Sequence, residues 1–258
     1  MNVFLGSRGI FLLVAWSADR NFVGLNSDTT FSPLQLPIDD LSSIFYAFAD
    51  VAPDGTVSSS NPVVDTQFQF TKHKFGARAA EGEEDEPHQP EKRQTGGNVS
   101  GAVEQLFNFK QLKRSLKVIL VVGGGNDVAT ANITDAASTA VSRANFAATA
   151  TKLITDWGMD GIGIDYEFPS SQTEAANYLA LITAVRAAFD NYSRTYGLNY
   201  QFHISTSISA DPTVYQYLDL PALAPLVNNW YVYSSSPLTL LTTYTGTFWH
   251  STTPETSA

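Results

Sequence analysis

The sequence has no cysteine. That excludes a disulfide framework and any thiolate metal site. Cationic residues are scarce: 15 Lys and Arg stand against 25 Asp and Glu, for a formal net charge of -10. Nucleic acid or an anionic membrane surface is therefore a poor partner on average, whereas a neutral substrate is compatible. No apolar run reaches the roughly 18 residues that a membrane helix needs. The chain lacks GxGxxG, GKS and GKT, and it lacks GxSxG, so no nucleotide-binding fingerprint and no serine-hydrolase elbow can be proposed. The histidines at 73, 88, 203 and 250 form no ligand-spaced pair on a helix, which speaks against zinc. Neither a cofactor nor a metal is expected.

What the chain does have is apolar material. Hydrophobic residues make up 43% of 258 positions, enough for a sizeable core in one large domain or two small ones. Strand and helix patterns alternate along it. Strand patterns fall at Ile10 to Ala15, Leu41 to Ala49, Lys117 to Val122, within Asp160 to Pro169, at Phe202 to Ser207 and at Trp230 to Tyr233. Helical spacing falls at Val103 to Arg114, Ser142 to Trp157 and Glu174 to Tyr192. PDGTV at 53–57 is a turn signal. The alternation indicates a parallel α/β fold, either an open doubly wound sheet or a barrel. Arg8 followed by GIFLLVA reads as a first buried strand, with a short signal peptide as the alternative. Sequons at Asn98, Asn132 and Asn191 permit glycosylation and favour an extracellular location.

The segment with chemical content is DGIGIDYEFP at 160–169. In a strand, residues 163, 165 and 167 share a face, so Asp165 and Glu167 are brought together about 7 Å apart at the backbone. Buried carboxyls are costly unless used or satisfied, and two so close cannot both ionise easily. That is how a glutamic acid stays protonated near neutral pH as a general acid. The bland alternative is a solvated strand end. A Mg²⁺ site of Asp160, Asp165 and Glu167 is a third option, but Asp160 faces away in a regular strand. The run Gly123-Gly124-Gly125-Asn126 ends another strand. Glycines there allow close approach of a ligand or backbone, or would form a phosphate cradle.

DGIGIDYEFP resembles the signature of glycoside hydrolase family 18, Asp-Gly-x-Asp-x-Asp-x-Glu followed by an aromatic residue and proline. The likeness extends to FYAFADVAPDGTV at 45–57, to TGGNVSGAVEQLFNFKQLKRSLKVILVVGGGN at 95–126 and to ANFAATATKLITDWGMDGIGIDYEFP at 144–169, which are similar to segments of fungal chitinases. It covers most of residues 9–235. It implies a (β/α)8 barrel and a neutral partner, chitin or chitooligosaccharide, cleaved at β-1,4-linked N-acetylglucosamine by a monomer. Glu167 matches the general acid. Asp165 matches the aspartate that holds the acetamido N–H, so that the acetamido oxygen is the nucleophile. Tyr233 matches the tyrosine that binds the acetamido carbonyl. Tyr46, Phe48, Gly124 and Tyr166 are expected to line the substrate groove, with Trp16 as a further wall.

The sequence also departs from the family. Gly163 stands where the family has its middle aspartate, Val121 where it has a serine, and Ser234 where an aspartate follows the tyrosine. Strand patterns fill about six of eight barrel positions, and the closing strands find no match before Ala258. Trp249 lies in TGTFWHSTTPETSA, which has no counterpart in the resemblance. The expectation is one domain over 1–258, an incomplete barrel with open edges, a charged surface loop at 71–97 and an unplaced tail at 236–258. A non-catalytic glycan-binding relative, or a truncated chain that does not fold alone, remains an alternative to an enzyme. Residues 77–94 carry many charges and few apolar groups, too few to offset the entropy of ordering. Limited proteolysis should therefore cut first within 77–94; protection there with cutting elsewhere contradicts the reading.

Overall fold

The computed structural model describes residues 2–6, 9–15, 36, 38–67, 101–233 and 247–251. The charged stretch at 71–97 and Trp16 lie outside the described residues. Among the described residues, nine strands form one sheet: β1 (Asn2–Gly6), β2 (Gly9–Ala15), β3 (Leu41–Val51), β4 (Val57–Ser59), β5 (Lys117–Gly123), β6 (Gly161–Asp165), β7 (His203–Ser209), β8 (Asn229–Tyr233) and β9 (Thr247–Ser251). Strands β2, β3, β5, β6, β7, β8 and β9 follow one another in space and run parallel. β1 pairs antiparallel with β2, and β4 folds back on β3. β1 and β9 lie beside each other, with no ladder joining them among the described residues.

Helices α1 (Pro62–Thr66), α2 (Gly101–Leu112), α3 (Asp127–Ser138), α4 (Ala140–Asp156), α5 (Gln172–Thr195), α6 (Pro212–Tyr215) and α7 (Leu220–Leu223) connect the strands. Local chemistry fixes where the long ones begin. Asn126 caps α3 by accepting the Ala129 N–H, and Thr139 and Ser142 form a reciprocal capping box on α4. Ser171 caps α5, while the Glu174 carboxylate accepts the Ser170 N–H at 2.7 Å.

The sheet sorts its side chains by parity. Ile44, Tyr46, Val118, Leu120, Val122, Ile162 and Ile164 face the helices and join Phe109, Phe146, Leu181 and Phe189 in the main core. Phe45, Ala47, Ile119 and Val121 face the other way and form a small inner cluster with Phe48 and Tyr231. A bulge between Ala47 and Ala49 puts Phe48 on that inner cluster. Both faces of these strands are buried, which is why β5 reads as an unbroken apolar run rather than an alternation.

The expected strands and helices are present. The structure corrects the expectation at the C-terminus: Thr247–Ser251, assigned to the unplaced tail, is a strand paired parallel to β8 and adds a seventh parallel strand to the six expected.

Asp160 precedes β6 at its N-terminal end, with the side chain held far from the Asp165 end. It is ion-paired with Lys110 at 2.8 Å and Lys117 at 3.6 Å, and it accepts from Tyr200 Oη and the Val118 N–H, each at 2.8 Å. These partners pin α2, β5 and β6 together. Removing one member of a buried ion pair strands the other, at a cost of about 3–5 kcal/mol. Asp160→Ala is accordingly expected to lower unfolding free energy by roughly 3 kcal/mol in urea titration. A loss below about 0.5 kcal/mol would mean that this cluster is a solvated surface pair instead.

Candidate active site

β6 delivers its last residue, Asp165, to the C-terminal edge of the parallel sheet. Gly163 lies two residues deeper on the same face, against Tyr231 and Val121. Glu167 lies two residues past the strand. Thr130 Oγ1 holds its carbonyl at 3.2 Å, and its Oε1 sits so close to Gly125 that an added Cβ would come within 2.9 Å. The peptide bonds Glu167–Phe168 and Ala47–Phe48 are cis.

The glycine run after β5 accommodates this approach. Gly123 and Gly124 take φ of 104° and 123°, which other residues rarely adopt. In that conformation the Gly124 N–H donates to the Asp165 carbonyl at 3.0 Å. The run lies against Phe48, whose Cε1 would be 3.5 Å from a Cβ on Gly124.

Tyr233, at the end of β8, brings a phenol to the two acids. Its Oη lies 3.3 Å and 3.5 Å from the Asp165 carboxyl oxygens, and it also serves Glu167. Phe168 packs edge-on to its ring at 6.1 Å. Ser207 on β7 supplies a further hydroxyl to Asp165 and donates to the Tyr166 carbonyl at 3.1 Å.

Burial pushes the Asp165 carboxyl up to about 7, and the neighbouring Glu167 charge adds to this against the Ser207 and Tyr233 hydrogen bonds. Burial also raises Glu167, which is less deeply placed, with Tyr233 opposing. Tyr233 is raised by burial and by both carboxylates, so it stays a phenol and a donor. The site can therefore hold a proton on one of two adjacent carboxyls near neutral pH and present a neutral donor between them.

The structure brings together Asp165, Glu167, Phe48, Gly124 and Tyr233 from the expected set. It does not bring in Tyr46 or Tyr166. Tyr46 has even parity in β3 and points to the helix layer, where its hydroxyl donates to Asp65 and its ring packs edge-on to Trp157. Tyr166 is buried against α3 and α5; its hydroxyl meets Thr134 at 2.8 Å and its ring meets Tyr178. Both were expected in the groove because they are aromatic and sit beside it in sequence, and parity assigns them to the opposite face. Gly125, Ser207, Phe168 and Tyr231 were missed. Tyr231 had a legible signal, since in a strand it shares a face with Tyr233, which was expected at the site. No described group gathers three His, Asp or Glu side chains as a metal would need.

The family model for glycosyl hydrolases family 18 matches residues 14–243. The chain belongs to this family. Endochitinase 1 of Metarhizium robertsii is 31% identical over 198 residues, 77% of this chain and 42% of its own length. Chitinase 1 of Aphanocladium album is 33% identical over the same share of each chain. This family 18 chain thus spans less than half the length of those relatives. Among solved structures, chitinase ChiA74 of Bacillus thuringiensis superposes with a TM-score of 0.65 at 16% identity, covering 86% of this chain and 38% of that one. The likeness in fold is to a barrel-type α/β architecture, as expected.

The raised Asp165 has a consequence for stability. Its folded value, about 7, lies above the unfolded carboxyl value near 3.9. The native state therefore binds more protons between these pH values, and stability falls as pH rises through that window. Glu167 shifts in the same direction. Asp165→Asn removes the Asp165 contribution. Thermal melts from pH 4 to 8 should show the variant gaining on wild type as pH rises, by ~1–3 kcal/mol at pH 8. A constant difference across that range contradicts the assignment.

Proposed function

We propose that this family 18 chain hydrolyses β-1,4-linked N-acetylglucosamine oligomers by substrate-assisted catalysis with retention. The observation that carries the reading is the convergence of Asp165, Glu167 and Tyr233 at one end of β6 and β8. Each group has a task that its surroundings suit. Glu167, raised by burial, donates its proton to the glycosidic oxygen as the C1–O bond breaks. The carbonyl oxygen of the substrate's acetamido group bonds to C1 from the opposite face and forms a cyclic oxazolinium. Asp165 accepts the acetamido N–H and stabilises the positive charge of that ring, and Tyr233 donates to the acetamido oxygen and aligns it for attack. Water then adds at C1 on the face the leaving group vacated. Glu167, now a carboxylate, takes the water proton, and the ring reopens to the acetamide. Phe48 and Phe168 are the apolar walls nearest this centre. A polymeric substrate of this kind is consistent with action outside the cell.

A second reading has one observation behind it. Position 163 carries no carboxyl, and Tyr231 stands against it instead. On that reading the chain binds chitooligosaccharides without turnover.

Reducing-end assays with an N-acetylated tetramer separate the two. Glu167→Gln should cut turnover by about 10²–10⁴-fold while leaving tetramer binding within a few-fold of wild type. Binding by the wild type with no turnover for Glu167→Gln to reduce selects the lectin reading. Turnover unchanged by Glu167→Gln overturns the catalytic assignment.

A further inference from the structure

The inner face carries a polar group that the proposed reaction does not use. Tyr231 lies on β8 with its ring edge-on to Phe45, at 5.1 Å and 87°. Its surroundings are apolar: Phe45, Ala47, Ile119 and Val121. Its hydroxyl is buried and makes no hydrogen bond among the described residues. Ser205 on β7 is a polar neighbour near enough to act on the phenol, but the pair falls short of hydrogen-bond geometry, and Ser205 Oγ accepts from Asn229 Nδ2 at 3.4 Å. An unpaired buried hydroxyl is costly, and phenylalanine would fill the same slot without that cost. The oxygen therefore calls for a partner in some other state of the site.

Its position says which partner. A Cβ at residue 163 would come 3.2 Å from Tyr231 Oη and 3.5 Å from its Cε2. The hydroxyl thus stands in the space that any side chain at 163 would take. Residue 163 is one pleat below Asp165 on the same face. Tyr231 and Asp165 are close enough to influence each other electrostatically. In the free protein Asp165 is served from above by Tyr233. In the proposed reaction Tyr233 turns its hydroxyl to the acetamido oxygen, and Asp165 loses that donor.

We propose that Tyr231 is a positioning residue for Asp165: its hydroxyl, housed in the space glycine leaves at 163, becomes the donor to the Asp165 carboxylate when Tyr233 is engaged elsewhere. The trigger rests on the proposed function, but the contact can be tested without substrate. Among the described residues, the titratable groups that act on Asp165 are Glu167 beyond β6, Tyr231 and Tyr233 on β8 and, across the sheet, Tyr178 on α5. None of these is basic, so none of them replaces a lost phenol donor with a cation.

Tyr233→Phe mimics the handover by removing the upper donor. In that background the Asp165 carboxyl is followed by ¹³C NMR titration with and without Tyr231→Phe. With both phenols gone, Asp165 should titrate about one pH unit higher than with Tyr231 present. Adding Gly163→Ser to the double variant puts a hydroxyl into the vacated space from β6 and should reverse most of that rise. Tyr231→Phe alone should melt no lower than wild type, because the lost oxygen had no partner. Its turnover of the N-acetylated tetramer should fall roughly tenfold in kcat with little change in KM, with the pH profile displaced. An Asp165 midpoint that ignores Tyr231 in the Tyr233→Phe background overturns the proposal, whether or not the wild type is active. A midpoint that moves in a protein with no turnover keeps the Tyr231 contact and removes the glycosidase reading instead.

Discussion

Two carboxyl groups in partial or full burial, too near one another to ionise independently, are the constraint around which the inner face is arranged. Asp165 is desolvated at the end of β6 and feels Glu167. Left alone, such a pair would be a pure cost to the fold. The surroundings offset it with neutral donors rather than cations: Tyr233 reaches both acids and Ser207 reaches one. Neutral donors leave the proton on the pair near neutral pH, whereas an arginine or lysine would fix both groups as carboxylates. The cations Lys110 and Lys117 are spent on Asp160 at the opposite end of the strand. Lysines and a phenol satisfy Asp160 at one end of β6, while Tyr233 serves Asp165 at the other without a described cation, so a single strand has a structural end and a chemical end.

The rest of the fold serves to hold that end still. Helices α3, α4 and α5 cover the even-numbered residues of the strands with a dense apolar layer. On the inner side the described residues form a small cluster beside the site. Gly123 and Gly124 then bring the backbone after β5 to the end of β6 and tie it to the Asp165 carbonyl. That contact fixes the carbonyl of the very residue whose side chain is electrostatically strained. Gly125 lets the Glu167 carboxylate lie against the chain. Position 163 completes the pattern: glycine there is the counterpart of a bulky, polar residue facing it from β8.

Much of this was legible in the sequence, for a physical reason. Parallel strands buried on both faces leave long apolar runs, and KVILVV and GIGID report them directly. Long helices with caps report themselves by spacing, as in α4 and α5. Parity also predicted that Asp165 and Glu167 meet. It was not carried through for the aromatics: Tyr46 and Tyr166 share the opposite parity, and both serve the helix layer. Helix α3 was not expected: DVATANITDAAS is rich in alanine, threonine and aspartate and buries Ile133, Ala136 and Ala137, which set up no long apolar pattern. Strand β9 was not expected either, since its five residues follow no turn signal strong enough to set them apart. Ser207 was obscured because its importance lies across strands, in register with neighbours far away in sequence, whereas parity with Tyr233 could have found Tyr231.

The central claim is that Asp165 and Tyr233 hold the substrate's own acetamido group as the nucleophile while Glu167 moves the proton. Proton NMR of the first sugar released from an N-acetylated tetramer tests it most directly, read before the anomers equilibrate. Two successive displacements at C1 predict that the new reducing end appears as the β anomer. An α anomer as first product would require direct attack by water and would contradict the account.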